Sequence, residues 1–328
     1  YTLNTFVHFS FLNTAASPAG IAVIHSLFNI GATILLFPFA NLLEKMAILA
    51  IPDKGSEVEE MEEEKINPDL ARLDERFLDK PGFAMEECRG VAINMARKSK
   101  KAMNLAIDLL KEYDEKTSAR VEKLENQIDQ YEDALGTYLV KLSERDLSVK
   151  DSRILSVLLH CIGDFERISD HAVNIRDAAV EMNKKNLQFS DKAKQELLVF
   201  SNAIRDIIDR AVLAFETGDT GLAKEVEPLE QVVDALNKEE KQRHINRLRT
   251  GTCTIELGFV LSDISTNFER AADHCSNIAV CLLQVDEGGF DTHEYLDILK
   301  EENSEEFRHE YMELSEKYTL PESKHGGK

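Results

Sequence analysis

At four places between residues 81 and 285 a glutamate precedes an aspartate by one helical turn. They are Glu125 and Asp129 in LENQID, Glu166 and Asp170 in DFERISDHAVNI, Glu230 and Asp234 in LEQVVD, and Glu269 and Asp273 in NFERAADHCSNI. Residues four apart sit one above the other on a helix, so each pair makes a short row of carboxylates. Two such rows side by side repel strongly unless a cation sits among them. Hard oxygen donors suit iron, manganese, magnesium or calcium better than a thiophilic metal. Asn174 and Asn277 extend two of the rows by one more turn and are weaker candidates. One such pair among 60 acidic residues would say nothing. Four pairs in matching phase, in two copies, argue for metal binding.

The duplication is explicit. F-E-R-x-x-D-H-x-x-N-I begins at Phe165 and again at Phe268, 103 residues later. With Phe165 and Ile168 at the apolar a and d positions of a heptad, Glu166 and Asp170 fall at b and f. Glu269 and Asp273 take the same letters, so these carboxylates are expected on the surface. His171 and His274 fall at g, bordering the apolar seam, where packing or support of a neighbouring ligand is preferred to ligation. Arg167 and Arg270 are expected to pair with nearby acids. Cys161 and Cys275 read as small core residues.

The elements that must carry these rows follow from periodicity. Val121, Leu124, Ile128, Tyr131, Leu135, Tyr138 and Leu142 alternate spacings of three and four. So do Leu158, Cys161, Phe165, Ile168, Ala172, Ile175, Ala179 and Met182. Seams of this kind belong to long helices packed in bundles. Breaks near 116–118, 146–148 and 186 predict helices over roughly 82–115, 117–144 and 149–184. Breaks at 218–219 and 250–252 predict three more over roughly 190–216, 221–249 and 254–284, with a charged amphipathic tail from Tyr295 to Tyr318. If the second and third helices of each bundle are antiparallel neighbours, their carboxylate rows lie side by side.

The amino-terminal part differs in kind. Ala19 to Leu43 contains no charged residue, and that length spans a bilayer core of about 30 Å as a helix. A Glu-rich stretch follows, GSEVEEMEEEKINPD, which reads as a solvated linker. The formal charge of −21 argues against a grip on nucleic acid, which needs a basic surface. Five cysteines without a C-x-x-C pair read as reduced thiols. The first residue is Tyr1 with no basic region before the apolar run, so a signal peptide is not expected, and the chain reads as the carboxyl-terminal piece of something longer. No nucleophile and base pair, phosphate-cradling glycine loop or inward E-x-x-H motif of a di-iron bundle stands in either half, so an enzyme is not expected.

Two three-helix bundles with duplicated E-x-x-x-D rows resemble the PhoU family of phosphate-signalling proteins, over about residues 81–285. IHSLFNIGATILLFPF resembles the last membrane segments of bacterial sodium/phosphate cotransporters, and LDERFLDKPGFAMEECR (Leu73 to Arg89) resembles their junction with a PhoU-like domain. The resemblance implies an all-α chain in five parts: a partial transmembrane region at 1–50, an acidic linker at 51–76, bundles at 77–187 and 188–286, and a helical tail at 287–328. It implies sodium-dependent phosphate import across the bacterial plasma membrane, with residues 51–328 cytoplasmic, and with phosphate, sodium, membrane and a second copy of the chain as partners. It also implies a divalent or trivalent ion, iron, manganese or magnesium, on the eight carboxylates. The cotransporter family's paired substrate repeats, with their Gln-Ser-Ser motifs, are absent, so phosphate and sodium sites cannot be placed. The alternative is a soluble PhoU-type metal-binding regulator of phosphate uptake.

Overall fold

A computed structural model describes residues 67–287 and 304–321, together with parts of a short helical stretch between His25 and Thr33. The chain divides into two compact units, Tyr1–Lys65 and Ile66–Lys328. In the first, Thr33 Oγ1 donates to the carbonyl of Asn29 at 2.8 Å, the usual back-bond of a helical threonine. Most of the expected membrane span, Ala19 to Leu43, lies outside the described residues, as does the Glu-rich stretch. Among the described residues no helix is long and apolar enough to cross a membrane.

Among its described residues the second unit is helical wherever it has regular structure. Helix α1 (Pro81–Leu109) opens on a proline, whose missing amide costs nothing in the first turn. Asp114 then accepts from the amide of Thr117 at 2.8 Å and starts α2, Glu115–Ser143. That cap needs extended backbone, which is why α1 stops short of residue 115. Ser148 caps α3 (Val149–Lys184) and Ser190 caps α4 (Asp191–Thr217) in the same way. Gly218, at φ +69°, closes α4 in the left-handed conformation that glycine adopts without penalty.

The span expected as one helix over 221–249 is two: α5 (Thr220–Lys224) and α6 (Val226–Arg249). Pro228 is the cause. It donates no amide hydrogen bond, so it fits the first turn of a helix and not its interior. Helix α7 (Ile255–Glu287) completes the second half, and α8 (Ser304–Lys317) follows.

Within the first half α1, α2 and α3 pack on one another; in the second, α4, α6 and α7 do so. The seam from Val121 to Leu142 is buried, as are Phe165 and Phe268. Both phenylalanines of the repeated phrase pack edge-on against α4, Phe165 on Phe215 at 4.9 Å and Phe268 on Phe200 at 5.2 Å. Each buried ring contributes roughly 2 kcal/mol. The halves join mainly along α3 and α7, which run antiparallel, since Asp164 meets His274 while His171 meets Asn267.

Straps cover both halves. Tyr131 and Tyr138 of α2 donate to Asp69 and to the carbonyl of Asp74, pinning two 3-10 turns, Leu70–Arg72 and Glu75–Phe77. Helix α8 lies on α6, with Leu314 and the following Tyr318 and Leu320 buried. Lys317 Nζ and Tyr318 Oη both reach Asp206 on α4, at 2.9 and 2.7 Å.

Candidate metal centre

In the first half, α2 and α3 run antiparallel, with Glu122 near Arg176 at one end and Asp129 near Asp170 further along. This brings the two rows together. Glu125, Asp129 and Asp170 each offer a carboxylate oxygen within 4.8 Å of the others. Among the described residues no other group of three acidic, His or Cys side chains lies as close.

Protonation reports the crowding. Burial, then the charge of Asp170 and further that of Asp129, pushes Glu166 up to about 7. Glu125 is raised by burial and by Asp129 and Asp170, and Asp129 by burial and by Asp170 and Asp133. Carboxylates that hold protons against one another are the electrostatic condition a bound cation relieves. Arg167 reaches Asp170 at 3.3 Å and Glu166 at 3.4 Å from an exposed position, and the charge of Arg176 opposes the rise at Glu125. An all-carboxylate donor set of this kind fits a hard ion.

The second half repeats the arrangement more loosely. Burial, then Glu269 and Asp234, raises the Asp273 carboxyl. Asp234 accepts from Lys238 at 3.2 Å, one turn along α6. Glu230 and Glu269 are half-buried on the same helices.

The remaining polar groups of the repeated phrase do something else. Asn174 and His171 both reach Asn267 Oδ1, at 3.0 and 2.9 Å. Reciprocally, Asn277 and His274 reach Asp164 Oδ1, at 3.4 and 2.8 Å. These side chains tie α3 to α7. Asp164 and Asn267, the first letters of the two phrases, carry the joint, and periodicity alone did not single them out. Their shared position ahead of F-E-R was the available signal. The thiols of Cys161 and Cys281 meet across the same joint.

The fold and these rows define a duplicated helical-bundle protein with paired acidic faces. The family model for the PhoU domain matches residues 92–179 and again 197–282, more than half of the chain, so the chain belongs to that family. It is 23% identical over 188 residues to the phosphate-specific transport system accessory protein PhoU homolog 1 of Thermotoga maritima, covering 57% of this chain and 80% of that protein. It is 23% identical over 219 residues to the PhoU homolog of Pseudomonas aeruginosa, covering 66% and 90%. Among solved structures, PhoU from Pseudomonas aeruginosa superposes with a TM-score of 0.58 at 22% identity, over 62% of this chain and 97% of that one. The PhoU of Streptococcus pneumoniae gives 0.58 at 16% identity, over 64% and 99%. These structures show the same fold.

Two expectations are overturned. The curated relatives are accessory proteins of a phosphate-specific transport system, not sodium symporters, and no described helix can cross a membrane. Sodium-dependent import as this chain's function and the plasma membrane as its location therefore fall, and the comparisons give no support to sodium or membrane as partners. The inference failed because it leaned on an uncharged stretch whose composition does not fix its surroundings. As a member of the PhoU family the chain is not an enzyme.

Proposed function

We propose that this chain is a PhoU-type regulator of phosphate uptake that carries a hard metal ion on each of two acidic faces. The supporting observation is the convergence of Glu125, Asp129 and Asp170 from two helices onto one patch. Glu166 completes the first set, and Glu230, Asp234, Glu269 and Asp273 make the second. Iron, manganese and magnesium all match an oxygen-only donor set. The two faces belong to bundles at 77–187 and 188–286, with 287–328 as an appended tail. Components of a phosphate transport system are the partners its relatives' names point to.

The test is metal content. Glu166→Ala with Asp170→Ala removes the ion from the first face and leaves the second loaded. Glu269→Ala with Asp273→Ala does the reverse, and the quadruple variant holds none. Alanine favours helix over either acid, and a crowd of like charges is thinned, so the fold persists. Elemental analysis beside circular dichroism reads both. Undiminished metal in the quadruple variant defeats the proposal.

A further inference from the structure

Beyond the Asp164 end of the joint, α3 and α7 set two thiols against each other. Asp164 Oδ1 accepts from His274 at 2.8 Å and from Asn277 at 3.4 Å. Cys161 stands one turn before Asp164 on α3, and Cys281 one turn after Asn277 on α7. Steps of three or four residues keep a side chain on one face of a helix. Because the helices are antiparallel, both steps run the same way, so the register itself opposes the two sulfurs. Cys161 donates its S–H to Cys281 across the joint.

Packing does not require sulfur here. The shift of 103 residues that relates the two phrases carries Cys161 onto Ile264 and Cys281 onto Ala178. Both are buried. The corresponding station in the other copy of the joint is therefore aliphatic, and one copy alone carries a thiol on each side.

The two thiols are unequal. Cys161 is fully buried, whereas Cys281 is 8% exposed. The bond to Cys281, and then burial, holds Cys161 in the S–H form. Accepting that bond favours the thiolate of Cys281, against burial and the charge of Asp164. A thiolate that reaches the surface beside a protonated thiol is the arrangement of an attacking sulfur and its resolving partner. Cys88 and Cys275 differ from both. They are fully buried, and burial pushes the Cys88 thiol up to about 12 and raises that of Cys275 as well.

We propose that Cys161 and Cys281 are a modification site at which a small hydroperoxide forms a disulfide between the two halves. The Cys281 thiolate attacks one oxygen of hydrogen peroxide, and the O–O bond breaks to leave a sulfenic acid and hydroxide. The hydroxide takes up the proton that Cys281 released. The Cys161 sulfur then attacks the Cys281 sulfur, the S–O bond breaks, and the Cys161 proton leaves with the hydroxyl as a second water. Each sulfur loses one electron and the peroxide gains two. Limited exposure of Cys281 selects a small oxidant over a bulky one such as glutathione disulfide. The product fixes α3 to α7 covalently, so the two acidic faces can no longer shift against each other. Nothing in this step uses a metal on those faces.

Peroxide treatment of the full chain in a Cys253→Ser background tests it, since Cys253 is the thiol outside the core that could link two molecules. Millimolar hydrogen peroxide is applied to the folded protein with and without EDTA, then removed with catalase. We expect two of the four remaining thiols to disappear, and peptide mapping to show Cys161 joined to Cys281. Dithiothreitol should restore both. The oxidised form should unfold at higher urea, because its unfolded chain is closed into a loop of about 120 residues. Cys161→Ser should stop at a sulfenic acid on Cys281, trapped by dimedone, and Cys281→Ser should leave Cys161 unreacted. The wild-type pairing needs neither variant to fold. Four surviving thiols, a bridge to Cys88 or Cys275, or a bridge that forms only in urea would overturn the proposal. So would a bridge that forms only without EDTA, which would be the work of metal-generated radicals and not of the thiol pair.

Discussion

The imidazole rings of His171 and His274 stack with centroids 5.6 Å apart and planes 27° from parallel, where α3 crosses α7. Each ring bonds to the opposite helix, His171 to Asn267 and His274 to Asp164. The histidines of the duplicated phrase therefore face one another across the joint between the halves.

Removing one of them should loosen that joint without touching the metal. His274→Ala deletes the bond to Asp164 and one face of the stack, and leaves a partly buried carboxylate short of a partner. A loss of about 1–3 kcal/mol is expected, read from the urea midpoint. Metal content should stay at the wild-type level. A coupled loss of metal would mean the ring supports the carboxylate rows directly.

Glu240 should make stability fall as pH rises. Burial pushes its carboxyl up to about 7, with the Ser265 bond and the charges of Arg247 and Lys241 opposing and Glu196 adding. The folded form therefore holds the proton more tightly than the unfolded chain, whose carboxyl sits near 4.5. This stabilisation is complete below pH 4.5 and is lost by the time pH passes 7, an amount of about 3 kcal/mol. Glu240→Gln should flatten that part of the profile. Urea midpoints of both proteins between pH 4 and 8 supply the comparison, and parallel curves would place the ionisation elsewhere.

The tail is expected to be part of the folded second half. Ending the chain at Glu287 removes α8 and uncovers the surface that Leu314, Tyr318 and Leu320 bury. It also takes Glu310 from Arg210 and the carbonyl of Pro321 from Arg243. About 3 kcal/mol or more should be lost from burial alone. A thermal melt reads the loss, and unchanged melting would show that α8 contributes nothing to stability.

Local chemistry was the legible part of the sequence. The α2 seam from Val121 to Leu142 follows from spacing, and the limits of α3 from the Ser148 cap and the apolar run behind it. The placement of acidic rows outside the seam follows from phase. Pro228 was visible too, and its effect on the helix expected over 221–249 was missed because the apolar period runs through it. What could not be read was which finished surfaces meet. Periodicity places Glu240 in a charged run, LNKEEKQR, that resembles a solvated face. Only the approach of α4 and α7 buries it. Asp164 and Asn267 likewise look like ordinary helix-surface residues until α3 and α7 are laid against each other. The uncharged run from Ala19 lies mostly outside the described residues, and composition alone does not decide its environment.

The reciprocal bonds between α3 and α7 have a further consequence. Asp164 to His274 and Asn267 to His171 are one contact made twice, which is the geometry of two like subunits meeting across a dyad. Here both are carried on one chain, so each half meets the other at an effective concentration in the millimolar range without searching for it. A joint tethered in this way need not be strong enough to survive dilution. Its polar bonds are free to set register, so that the two acidic faces keep a fixed relation to each other at any protein concentration.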